Sequence, residues 1–126
     1  MMQMQMAITL WKELDVALQE HGAWKKRLRD VAVRRETDLP VADIRSPACC
    51  RFGEWLNALP PILRISRDAR KVERLHAAFH ACAGDIAEQI SKGEFNKAFA
   101  ALSGEEYNAL SADLSRAISR WQLAAA

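Results

Sequence analysis

The chain has 126 residues, half of them apolar and only five of them glycine; that is the length of one domain able to bury an ordinary core, and a balance that suits packed helices. A net charge of +2 and a pI near 8.6 are too mild to imply nucleic acid or an anionic membrane as a partner. Three cysteines, two of them the neighbours Cys49 and Cys50, exclude a secreted disulfide framework and fit a reducing compartment.

The opening Met1 to Met6 segment has no basic stretch, and glutamines break its apolar run, so it does not read as a signal peptide. No apolar run approaches the ~20 residues of a membrane span. A cytoplasmic protein without membrane insertion is expected. Residues 1–7 and 124–126 are expected to be disordered.

From about Ile8 to Arg34 the pattern predicts a helix. Leu10, Leu14, Ala17, His21, Trp24, Leu28 and Val31 follow strict 4-3 spacing, the seam of a helix packed on other helices. Trp11 and Leu18 form part of a second apolar stripe, a candidate dimer contact. Residues 35–45, with Thr37, Asp38, Pro40 and Asp43, read as a loop. Ser46-Pro47 has the form of an N-cap followed by proline, opening a short helix that runs to about Leu59, where Pro60-Pro61 stops it. Cys50 then falls in a first helical turn, where free amides and the helix dipole lower a thiol pKa. Gly53, one turn further, reads as a point of close approach by a neighbouring helix.

A third helix is predicted from Ser66 to Ser91, with Gly93 just past its end. Val72, His76, Phe79, Ala83, Ile86 and Ile90 make its inward seam, and His80 flanks that seam one turn from His76. Lys92 to Leu102 reads as a short helix. Ser103-Gly104-Glu105-Glu106 has the form of a capping box opening a last helix whose face is Tyr107, Leu110, Leu114, Ala117 or Ile118, and Trp121. The fold class expected is all-α: residues 1–126 form a single domain, an antiparallel four-helix bundle with a short extra helix carrying Cys50.

Histidines four apart on a helix can converge on one ion. His76 and His80 are such a pair, and the chain has one further histidine, His21, on the first seam. A lone histidine on an apolar face is usually a core residue. Three imidazoles and the Cys50 thiolate, however, make up the closed tetrahedral set that zinc prefers. Two buried imidazoles on one helix are costly unless something satisfies their nitrogens, and a metal does so.

The order His21…Trp24, then Cys50-Arg51-Phe52-Gly53-Glu54-Trp55-Leu56, then His76-x-x-x-His80 resembles the bacterial chemoreceptor zinc-binding domain, over nearly the whole chain. One departure is Glu54, where that family often has a basic residue. The resemblance implies that His21, Cys50, His76 and His80 are the zinc ligands, with Trp24, Phe52, Gly53 and Trp55 as scaffold. It also implies a helical-bundle homodimer holding one zinc per subunit, not an enzyme. Such domains work in the cytosol with chemoreceptors or diguanylate cyclases, or as short stand-alone chains.

A closed Cys-His₃ set leaves no corner for a substrate and argues against hydrolysis. Its thiolate is the one ligand that can be oxidised, so zinc availability and an oxidant such as hypochlorous acid are both possible inputs. The competing reading is a structural dimerisation or docking bundle whose histidines are core residues. A di-iron bundle lacks enough ligands, and a catalytic Cys-His pair would not need three histidines. The basic stripes Arg64, Arg67, Arg70, Lys71, Arg74 and Lys25, Lys26, Arg27, Arg29 read as solvated faces. Cys49 reads as an inert neighbour of Cys50 and Cys82 as core filler.

Overall fold

The apolar seam that begins at Leu10 does lie on a helix, but the helix is longer at its start than the pattern implied and is interrupted at its middle. The computed structural model describes residues 2–125, and α1 covers Met2–Gly22 and α2 Trp24–Val33. Met1 and Ala126, part of the two segments expected to be disordered, lie outside the described residues. Ala23 separates the two helices in a helical conformation, its amide shared between the carbonyls of Gln19 and Glu20. The interruption falls beside Gly22, where the loss of a side chain lowers the cost of leaving a regular helix.

Residues 35–45 are not all loop: Val41–Arg45 forms α3, a five-residue helix that buries Ile44. The loop residues Thr37, Asp38 and Pro40 drew the sequence reading away from it, and tertiary burial of Ile44 outweighs them. The expected helix over 46–59 is divided as well. Pro47–Cys49 is a single 3₁₀ turn, Cys50 is extended, and α4 covers Arg51–Ala58. The Cys50 sulfur accepts the Gly53 amide at 3.3 Å, so Cys50 caps α4 rather than sitting in its first turn. Pro60 ends that segment, and Pro61 opens α5, Pro61–Arg64.

The longest helix, α6, spans Arg67–Ser91, capped at its start by the Ser66 hydroxyl, which accepts the Ala69 amide at 3.1 Å. Past its end Gly93 takes a positive φ of 76°, which glycine adopts without strain. Phe95–Leu102 is α7 and Glu105–Ala125 is α8. Among the described residues the expected capping box at Ser103 forms no side-chain bonds. Ser103 instead closes α7, and the Asn108 amide donates to the Leu102 and Gly104 carbonyls.

Among the described residues every regular element is helical. α8 packs along both α1 and α6, α3 lies against α6, and α7 fills between α2, α6 and α8. Most seam positions are buried, Leu14 and Leu28, then Val72, Phe79, Ala83, Ile86 and Ile90, then Tyr107, Leu114, Ile118 and Trp121, whereas Trp24, Val31 and Leu110 are only half-buried. Burying each large aliphatic or aromatic side chain contributes about 1.5–3 kcal/mol.

Gly84 sets how closely α3 lies on α6. A Cβ there would stand 2.6 Å from the Arg45 Cβ and 2.9 Å from its Cα. Arg45 in turn pairs with Asp85 and Glu88, both on α6. In the middle of an exposed helix, glycine to alanine gains up to about 1 kcal/mol. Gly84→Ala should reverse that sign and cost about 1–3 kcal/mol, the usual cost of overpacking. Urea unfolding of the variant beside the wild type checks it.

Candidate metal centre

α1 delivers His21 from its last turn, and α6 delivers His76 and His80 from successive turns of its inward face. All three imidazoles are buried, at 5%, 2% and 2% exposure, inside a core that offers few polar partners. His21 Nδ1 donates to the Ala17 carbonyl at 2.8 Å, and His80 Nδ1 donates to the Ile44 carbonyl at 2.8 Å. A carbonyl can only accept, so each bond places the ring proton on Nδ1 and leaves the lone pair on Nε2.

Those lone pairs converge. His76 Nε2 lies 3.1 Å from His21 Nε2 and 3.2 Å from Cys50 Sγ. The His76 and His80 rings are 4.5 Å apart between centroids, with planes nearly perpendicular. One potential ligand atom from each of His21, Cys50, His76 and His80 lies within 4.8 Å of all the others. Bonds of 2.0–2.3 Å to a tetrahedral zinc require ligand atoms about 3.3–3.6 Å apart, so displacements of about 1 Å close the set.

His80 Nε2 is buried with no hydrogen-bond partner. An orphaned buried acceptor costs about 1–3 kcal/mol. A divalent ion at the centre of the cluster would satisfy it, and three neutral imidazoles with one thiol are a donor set that fits zinc.

Burial dominates the electrostatics. Desolvation pulls the His21 pKa down to about 4, against its bond to Ala17, and the His76 pKa down to about 3, helped by the neighbouring rings. Desolvation also lowers that of His80. All three rings are therefore neutral at pH 7, as metal ligands must be. For Cys50 the expected lowering is reversed: burial pushes its thiol up, outweighing the Gly53 and Phe52 amides that pull it down.

The scaffold residues divide. Phe52 stands edge-on to His21 and His76, with centroids at 5.8 and 5.2 Å. Gly53 has no room for a side chain, because a Cβ would overlap the Pro47 carbonyl oxygen. The close neighbour is thus the turn just before α4, not another helix. Trp55 stacks on Phe52 and leans on Trp121, one layer out. Trp24 packs at the edge of the core with Arg27 over its ring at 5.6 Å, and makes no ring contact with the three histidines.

Phe79 and Ala17 read in the sequence only as seam positions, and Ile44 not at all. Phe79 stands edge-on to His21 and His80, while Ala17 and Ile44 act through carbonyls that no side-chain pattern reveals. Gly84, an interior glycine in a long helix, was the available signal that α3 comes close. Of the remaining thiols, Cys49 is exposed, and Cys82 is half-buried against the core, where burial pushes its pKa to about 11.

The family model of the chemoreceptor zinc-binding domain matches residues 21–87, more than half of the chain, from His21 past His80. The chain belongs to the chemoreceptor zinc-binding domain family. No curated protein and no solved structure matches it. Chemoreceptor zinc-binding domains are sensory rather than catalytic modules, found in chemoreceptors and other signalling proteins. No described helix is long and apolar enough to cross a membrane.

The depressed histidines make the metal-free protein acid-sensitive. Unfolded, the rings take up protons near pH 6.5; folded, His21 and His76 do so only near 4 and 3. Between those values the unfolded chain binds more protons, so stability is lost as the pH falls. The expected loss is about 1.4 kcal/mol per pH unit for each ring below pH 6.5. Urea titrations of metal-free protein at pH 7 and 5 measure it; equal stability at both would contradict the buried, neutral assignment.

Proposed function

We propose that this chain is a cytoplasmic zinc-dependent sensory domain in which His21, Cys50, His76 and His80 hold one Zn²⁺ per subunit. The observation that carries the reading is the convergence of those four side chains, from α1, the α4 cap and α6, around one point. Bound there, zinc would tie α4 to α1 and α6 and supply a charge that satisfies all three Nε2 lone pairs.

The Cys50 sulfur is the responsive member. Hypochlorous acid oxidises a thiolate to a sulfenic acid: sulfur gives up two electrons and gains oxygen, and chlorine leaves as chloride. The sulfur that would carry the oxygen lies 3.2 Å from His76 Nε2 and 3.5 Å from the Pro47 carbonyl. Oxidation removes the donor and loosens α4 from the histidines. A fall in available zinc acts on the same contact.

The transmitted change needs a partner surface. Ile8 and Trp11 are exposed on one side of α1, with Met4 one turn before them, at 45, 46 and 71% exposure. We read this stripe, without Leu18, which is half-buried against the core, as the contact of a homodimer built on an antiparallel four-helix bundle. Its shift would control chemotaxis or cyclic-di-GMP output through a chemoreceptor or diguanylate cyclase.

Purified protein should contain one zinc per chain by elemental analysis. Only Cys50 carries a proton that zinc must displace at pH 7, because the rings are already neutral. Zinc uptake should therefore release about one proton in weakly buffered solution, and Cys50→Ala should abolish that release and weaken binding. Sub-stoichiometric hypochlorous acid should free the metal, and retention of all of it would remove the oxidant input. Trp11→Glu should lower the solution mass from dimer to monomer.

A further inference from the structure

His76 differs from the other two rings. Its nitrogen contacts are made by Nε2 alone, so no main-chain carbonyl fixes its Nδ1 side. It is 2% exposed, and of the four cluster residues it is the one that lines a cavity of about 180 Å³ on the outer side of the cluster. Pro47 and Gly53 form one wall and Glu73 and His76 the other, with Arg64 contributed by α5. Pro47 and Gly53 are the residues whose carbonyl and amide touch the Cys50 sulfur.

The polar groups of this cavity form a gradient. Arg64 and Glu73 are 41% and 34% exposed, and they pair at 3.5 Å, a long contact for an ion pair. One helical turn inward from Glu73 stands His76, fully enclosed. A hydrated divalent cation is taken first by oxygen donors and held last by nitrogen and sulfur. Glu73 and Asn57 are the lining residues with side-chain oxygens, and the nitrogen and sulfur of the buried cluster lie behind His76.

We propose that this cavity is the passage by which zinc enters and leaves the centre, with Glu73 the carboxylate that receives the ion before His76. This rests on the zinc reading above. Arg64 competes for the same carboxylate and so sets how open the passage is. Glu73 is a transfer group and not a ligand of the final set. It should therefore change loading and release together and leave the equilibrium where it was.

The test uses zinc alone. Stopped-flow loading of metal-free protein, and release into chelator at concentrations where the rate no longer depends on chelator, are measured for the wild type, Glu73→Gln and Ala77→Leu. Ala77 also lines the cavity and is exposed, so a larger side chain there narrows it without entering the core. Glu73→Gln should slow loading and release alike by about tenfold, the low end of what a focused charge adds to an association rate, with Kd within twofold. Ala77→Leu should slow both in the same way.

Rates equal to wild type in both variants would overturn the passage. Faster release with unchanged loading and a weaker Kd would also overturn it, since Glu73 would then be a buttress of the bound state. A wild type that takes up no zinc at equilibrium would overturn the functional reading itself, and stoichiometry separates that result from the other two.

Discussion

Three imidazole rings buried against one another are the constraint on which the rest of this structure depends. Their Nε2 atoms face one another in an apolar interior, where each needs a partner and that of His80 has none. Two of the rings, His21 and His80, cannot turn away, because main-chain carbonyls hold their Nδ1 protons. A positive charge placed among these rings would satisfy the nitrogens that the fold leaves facing one another. Phe52 and Phe79 close edge-on around the cluster, keep water out, and depress the basicity that would otherwise let protons fill the role.

Much of this was legible in the sequence, and for identifiable reasons. The 4-3 seams of α1, α6 and α8 reported both the helices and their buried faces, since period and burial are the same information on an amphipathic helix. His76 and His80 could be paired from their spacing alone. Cys50 and His21 required the count of available ligands and the resemblance to the chemoreceptor zinc-binding family, because nothing local links residues on different helices. α3 and the Ile44 carbonyl escaped notice. A five-residue helix carries too few periods to register, and a carbonyl is offered by every residue.

The error at Cys50 is instructive about competing magnitudes. The amides of Gly53 and Phe52 stabilise a thiolate, as a helix start should, yet desolvation of a half-buried sulfur outweighs them. The sulfur is thus protonated in the metal-free chain and less reactive than its cap position implies. A thiol in this state is less prone to oxidation than a thiolate.

Ile44 and Cys50 belong to one short stretch of chain. The carbonyl that orients His80 and the sulfur that faces His76 are separated by Arg45, Ser46, Pro47, Ala48 and Cys49. Arg45 is pinned to Asp85 and Glu88, and Pro47 is pressed against Gly53, so this stretch has little slack. A pull on its sulfur end would be felt at its carbonyl end, which would couple the two histidines on α6. A single residue inserted between Ile44 and Cys50 would put the two anchors out of step.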